Sequence, residues 1–263
     1  MQETVTFELV RYEVKSRVAE ITLNRPPVNA INVQLANEVV AAYRLAKEDS
    51  AVRAVILASG LPEVYSAGVD LKLAGSFDGQ SLRAFIETFY YEQHELLYRM
   101  GKPVIAAVTG HARAAGMTWA VSTDIIIAAK EAQFGYPEIN VGLLPAMHLV
   151  HLARIAGRHR AAQLLFTGEI VSADEMHRLG VFNEVLPREQ VLPRARALAA
   201  ELAEKSPISM KLLRDAFVRA NDLDYRRAME SVVETMCSLR DSVDSTEALA
   251  AFVEKRAPVF QGR

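Results

Sequence analysis

Hydrophobic and polar positions alternate along 7–14 and 17–23, with the polar pair Lys15-Ser16 between them, a pattern that predicts two strands joined by a turn. From 33 to 47, Leu35, Val39, Ala42, Tyr43 and Ala46 recur at steps of three or four, the period of a helix with one apolar face. Three compact, mostly apolar runs, 52–58, 103–108 and 124–129, read as buried strands. Helical patterns occupy 81–100 and 115–121. Such repeated crossings call for parallel strands with helices packed outside them. Beyond Pro187 only helical spacing remains, over 189–204, 207–220, 224–239 and 245–255, with Pro193 able to delay the first start. The expected organisation is an α/β body over 1–190 and a helical region over 191–263, with no flexible linker.

A chain of 263 residues, 51% of them hydrophobic, can bury a sizeable core. Thirty basic residues against thirty-two acidic ones give a formal charge of −2, so no global field attracts nucleic acid or anionic lipid. The lone Cys237 excludes an internal disulfide and a cysteine-rich metal site, and fits a reducing compartment. The start 1–6 carries no basic-then-apolar leader, and no apolar run approaches the ~20 residues that span a bilayer. The expectation is a cytoplasmic protein with no nucleic-acid partner, no membrane partner and no metal.

Two loops after buried strands are candidates for chemistry. The stretch 65–72 holds Ser66-Ala67-Gly68-Val69-Asp70-Leu71, and 109–117 holds His111, Ala115 and Gly116. Small residues let the backbone approach a ligand closely, and the second loop opens a helix, where free N–H groups favour negative charge. Two such donors converging on one oxygen would make an oxyanion hole. A third stretch, 134–143, sets Glu138 among apolar and turn-forming residues beside Tyr136. A carboxylate in a dry pocket is a proton shuttle near neutrality. Each feature also has an ordinary reading: small-residue turns are routine packing, and a glutamate after proline is often at the surface. His148 and His151 lie three apart on a helical pattern, but no third metal ligand accompanies them.

Taken in order, Leu23-Asn24-Arg25-Pro26 with Asn29-Ala30-Ile31-Asn32, Ser66-Ala67-Gly68-Val69-Asp70-Leu71, Lys102-Pro103-Val104-Ile105-Ala106-Ala107-Val108, Phe134-Gly135, Pro137-Glu138, Gly142-Leu143 and the tail Phe252-Val253-Glu254-Lys255-Arg256 resemble the crotonase (enoyl-CoA hydratase/isomerase) family. The resemblance implies a crotonase-like spiral of repeated ββα turns with a C-terminal helical trimerisation region. It also implies trimers or hexamers, an acyl-CoA substrate and no prosthetic group, coenzyme A being part of the thioester. By position, Val69 and Ala115 would supply the oxyanion N–H groups and Glu138 the proton transfer. Ser66, Ala67, Asp70 and Leu71 would cradle the adenine side of coenzyme A, and Lys255 would reach its phosphates on a neighbouring subunit. Thr118, His111, Tyr136 and His148 are the expected substrate-pocket residues.

The chain departs from the family pattern at several points. Thr118 stands where two-carboxylate hydratases have their first glutamate, and a hydroxyl does not exchange a proton at neutral pH. Ala114 and Ala115 replace two glycines of the oxyanion loop, which alanine tolerates if the turn needs no positive φ. Arg113 is unusual beside them, and Ala146-Met147-His148-Leu149, in place of small residues, should crowd the acyl pocket. Ala146 also replaces the acid of dienoyl-CoA isomerases. A lone glutamate fits double-bond isomerisation or atypical hydration better than paired-carboxylate hydration. The alternative is a non-catalytic acyl-CoA-binding homologue.

Overall fold

The computed structural model describes residues 7–262, without the side chains of 222–227 and 230. The first six residues, read above as lacking a leader, lie outside the described residues. Strands β1 (Val10–Lys15) and β2 (Val18–Leu23) pair antiparallel, turning at Ser16 and Arg17, both at positive φ. Helix α1 (Val33–Glu48) begins where Asn32 accepts a hydrogen bond from the Leu35 amide at 2.9 Å, a side-chain N-cap. Strands β3 (Ala54–Ser59), β5 (Val104–Val108), β7 (Ile125–Ala129) and β10 (Glu184–Leu186) extend the hairpin as parallel strands in the order β1-β2-β3-β5-β7-β10. Every residue of β5 is buried, which is why this strand reads as an unbroken apolar run.

After each of the three inner strands the chain turns into a second, smaller sheet. That sheet contains β4 (Val64–Ser66), β6 (His111–Arg113) and β8 (Gln133–Gly135), parallel to one another, and β9 (Ile170–Ser172) antiparallel to β8. One strand for each sheet and then a helical segment make one turn of the spiral, the architecture that the resemblance implied. These four strands escape a pattern reading because three residues do not complete a period.

Helix α2 (Leu71–Ser76) follows β4, and a continuous helical stretch then runs through α3 (Gly79–Ile86), a π-helical segment (Glu87–Glu92) and α4 (Gln93–Tyr98). Sequence spacing over 81–100 predicted this stretch without its π-helical segment. The wider turn lets consecutive rings, Phe89 and Tyr90, both face inward, and Phe89 stacks on Phe85 at 5.5 Å. Helix α5 (Ala115–Val121) is wholly buried after β6, and the Trp119 indole donates to Gln93 at 2.7 Å. A short 3₁₀ turn, Pro137–Val141, follows β8 and ends at Gly142, where φ is 72°. Helices α6 (Ala146–Ala156), α7 (Arg158–Thr167) and α8 (Ala173–Arg178) complete the body.

Helix α9 (Arg188–Ala203) lays Val191, Ala195, Ala199 and Ala203 on the large sheet, so residue 190 falls inside an element that covers the core. The stretches read as separate helices at 207–220 and 224–239 form one helix, α10 (Pro207–Arg240), since neither glycine nor a second proline interrupts it. Arg214 anchors α10 by donating to Asp124 at 2.9 Å, a carboxylate that also accepts from the Val104 amide at 2.8 Å. Helix α11 (Val243–Glu254) returns across α2 and the 3₁₀ turn. No described helix is long and apolar enough to cross a membrane.

Candidate active site

The loop 67–70 is shaped from below by the Asn-Arg-Pro…Asn-Ala-Ile-Asn stretch. Asn29, fully buried at positive φ, accepts from the Arg25 amide at 2.7 Å and donates to Ser59 Oγ at 2.9 Å and to the Tyr65 carbonyl at 3.0 Å. Arg25 in turn donates to the Ala30 carbonyl at 2.7 Å and pairs with Asp70 at 3.0 Å. The Ile31 amide donates to the Gly68 carbonyl at 2.8 Å, and the Asp70 amide donates to the Ile31 carbonyl at 2.9 Å. In a parallel bridge these bonds use the neighbours of Val69, so the Val69 N–H points the other way. It has no hydrogen-bond partner among the described residues.

The second N–H belongs to Ala115, the first residue of α5, and no carbonyl of its own helix can reach it. It too lacks a partner among the described residues. The two loops touch. A side chain at Gly68 would place its first carbon 3.3 Å from the Ala115 nitrogen and 2.9 Å from the Ala114 methyl, and one at Gly116 would meet the Ser66 carbonyl at 2.4 Å. Both positions require glycine for this approach.

The turn between them does take positive φ, contrary to the condition set from sequence. Ala114 sits at φ 49°, ψ −126°, and its amide donates to the Gly135 carbonyl at 3.0 Å. Tertiary contacts hold an alanine where glycine is at ease, a strain on the order of 1–3 kcal/mol. Ala114→Gly should therefore stabilise the protein by about 1 kcal/mol after the added freedom of the unfolded chain is subtracted. Urea unfolding measures this, and a loss of stability would show that the methyl contact outweighs the strain.

Val69 and Ala115 line a cavity of about 310 Å³ together with Ala67, Leu71 and Glu138. Glu138 stands on the 3₁₀ turn, whose closing bond runs from the Leu143 amide to the Glu138 carbonyl at 3.0 Å. Part of the residue reaches solvent, but its Oε2 is shut off from water with no hydrogen-bond partner among the described residues. Burial accordingly pushes the carboxyl up to about 8, against the small opposing pull of its own backbone amide. It is the only carboxylate on the cavity wall among the described residues. Most of the remaining wall is apolar, including Phe77, Leu82, Phe85, Phe89, Leu144 and Phe252.

The four residues expected in the substrate pocket do not line this cavity. Thr118, on the second turn of α5, is 1% exposed, and its Oγ1 lies 3.2 Å from His148 Nε2, while Tyr90 also bonds its hydroxyl. His148 is fully buried, its ring 4.3 Å from that of Tyr136. Burial, with help from His151, pushes His148 down to about 3, so the ring is neutral. Tyr136 is also fully buried, and burial raises its phenol far above the ordinary value. His111 belongs to the small sheet, where its Nδ1 accepts from the Gln133 amide at 3.0 Å. The run after Pro145 does not crowd the cavity either: Ala146, Met147 and His148 start α6 and point into the core.

Of the residues expected to hold coenzyme A, Ala67 and Leu71 face the cavity. Ser66 is fully buried and its hydroxyl is engaged internally, donating to the Asn29 carbonyl at 2.8 Å and accepting from the Gly68 amide at 3.2 Å. Asp70 caps α2 and holds Arg25. Lys255 is exposed at the end of α11, three residues beyond the cavity-lining Phe252. Sequence reasoning missed Arg240 and most of the apolar wall. No short motif marks them, since they come together only through packing of α3, the π-helical segment, α10 and α11.

Residues 13–263 match the family model described as enoyl-CoA hydratase/isomerase. A probable enoyl-CoA hydratase of Mycobacterium bovis is 34% identical over 261 residues, covering 98% of this chain and 100% of that protein. A crotonyl-CoA hydratase of Syntrophomonas wolfei is 30% identical over 258 residues, covering 97% of this chain and 99% of the relative. The crystal structure of an enoyl-CoA hydratase/isomerase from Pseudoalteromonas atlantica superposes with a TM-score of 0.87 at 25% identity, covering 97% of this chain and 100% of that one. With the two-sheet spiral and the meeting of its two strand–helix loops, these matches place the chain in the enoyl-CoA hydratase/isomerase (crotonase) family.

Proposed function

We propose that this acyl-CoA enzyme removes the α-proton of its thioester substrate and, given a 3-enoyl chain, moves the double bond to the 2-position. The observation that carries this reading is the solitary, enclosed carboxyl of Glu138 on a wall that also carries two unpartnered amides. Glu138 takes the proton from C2, the thioester oxygen gains negative charge beside the N–H groups of Val69 and Ala115, and the same carboxyl returns the proton at C4. Such amides act where charge develops and need no reorganisation. Ala67 and Leu71 cradle coenzyme A, Ser66 and Asp70 hold their loop in shape, and Lys255 reaches the phosphates. Coenzyme A enters as part of the substrate, and the steps call for no prosthetic group.

A second reading, hydration with Glu138 as sole acid and base, is favoured by the hydratase names of the relatives. The third is binding without turnover. Incubation of saturated and 3-enoyl thioesters in heavy water, followed by NMR, separates the three. Enolisation predicts deuterium at C2 of the saturated thioester and conversion of the 3-enoyl one. Hydration without either result would favour the second reading, and tight binding with no chemistry would leave only the third.

Self-association belongs to the same proposal. Leu212, Leu213 and Phe217 on α10 are 58–67% exposed, more apolar surface than a lone helix face ordinarily presents to water. Light scattering should return three or six chain masses, and a monomer at micromolar concentration would contradict it.

A further inference from the structure

Arg240 is the second charged group on the cavity wall, and the reaction proposed above makes no use of it. Only 6% of the residue is exposed. Its Nε donates to the Ala74 carbonyl at 3.2 Å, Nη2 to the Gly75 carbonyl at 3.1 Å and Nη1 to Thr246 Oγ1 at 3.1 Å. These bonds fix the guanidinium between α2, α10 and α11, and leave one N–H on each terminal nitrogen without an acceptor among the described residues. All three acceptors are neutral. A buried cation is costly unless an anion accompanies it, yet no carboxylate lies within ion-pair distance among the described residues. Asp241 and Asp78 attract it from beyond ion-pair distance, and each is hydrogen-bonded elsewhere. Asp241 accepts from the Gly79 amide at 2.6 Å, and Asp78 caps α3 through Ser81 at 2.8 Å.

Arg240 and Glu138 line one cavity, and no ion pair joins them among the described residues. Phe77, Phe85 and Met236 are among the apolar residues of the same wall. An acyl chain in this cavity would lie against apolar surface and share the space with a fixed cation.

We propose that Arg240 receives a carboxylate at the far end of the acyl chain, so that the preferred substrates are mono-thioesters of dicarboxylic acids. The guanidinium fork suits a carboxylate, which would add a direct ion pair to the more distant attraction of Asp241 and Asp78. A methyl-ended chain would leave the buried cation without a direct ion-pair partner.

This inference rests on the acyl-thioester reading, and calorimetry with unreactive saturated thioesters keeps the two separable. The probes are free coenzyme A and six-, eight- and ten-carbon chains ending in methyl or carboxylate. At one or more lengths the carboxyl-ended chain should bind at least tenfold more tightly than its methyl-ended partner. Arg240→Met should weaken that chain by about 30-fold or more, as for a buried charge pair losing one member, without weakening the methyl-ended one. Arg240→Lys should retain part of the preference. If no thioester binds, the acyl-CoA reading itself fails. If thioesters bind but methyl ends equal or exceed carboxyl ends at every length, the Arg240 assignment fails, whether or not the variants fold. Equal weakening of both chain types and of free coenzyme A by Arg240→Met would also overturn it, as a purely structural role.

Discussion

Glu138→Gln should lower kcat for 3-enoyl conversion by about 10²–10⁴-fold, the usual loss for a missing acid–base group. Thioester affinity should stay within a few fold, because the amide has the same shape and the binding loop 67–71 is untouched. The pH profile gives an independent check. Glu138 must be ionised to accept a proton, and burial holds it at about 8. In the parent enzyme kcat/KM should therefore climb tenfold per pH unit and level off above about pH 8. His148 is neutral throughout this range because its value is pushed down to about 3, so it supplies no competing limb. Stability should run in the opposite direction. The folded value of Glu138 is raised from 4.5, so folding favours the protonated form. That contribution is complete below about pH 4.5 and is lost as the pH rises through about 8. The glutamine variant should lack this alkaline decline in thermal unfolding. A variant with parental kcat would mean that another group moves the proton.

Ala115→Pro should cost about 10²–10³-fold in kcat while leaving the protein folded, as expected for deletion of one oxyanion donor. The substitution is informative because of where the residue sits. As the first residue of α5, Ala115 has an N–H that its helix does not use, and proline is well tolerated at that position. The residue before it, Ala114, lies outside the extended region that a pre-proline residue prefers, so the change is made in an Ala114→Gly background, where no Cβ meets the proline ring. Circular dichroism should match the parent, and thioester binding should persist through Ala67 and Leu71. Ala115→Val, which keeps the N–H, serves as the control for added bulk. Unchanged turnover in the proline variant would remove Ala115 from the mechanism.

Much of the core was legible before any coordinates. The buried strands at Val104–Val108 and Ile125–Ala129 and the helix at Ala115–Val121 were evident because long apolar runs and helical periods are local properties. The short strands of the small sheet were not, because a three-residue segment becomes a strand only when a neighbour arrives to pair with it. The same division runs through the site. Val69, Ala115 and Glu138 lie in ordered motifs on three successive turns of the spiral, and all three come to one cavity. Thr118, His148 and Tyr136 lie beside those motifs in the chain, yet their side chains turn into the core.

By itself, then, the sequence determined the family, the three loops that meet and the absence of a second glutamate at Thr118. Only the tertiary structure decided that Ala114 is held in a glycine's conformation, that Oε2 of Glu138 is shut off from water and that Arg240 faces the cavity with no ion-pair partner among the described residues. Motifs and periodicity are written in neighbouring residues. Burial, strain and charge compensation are set by whatever the rest of the chain folds against them, and α11 and the end of α10 reach the site from a hundred residues away.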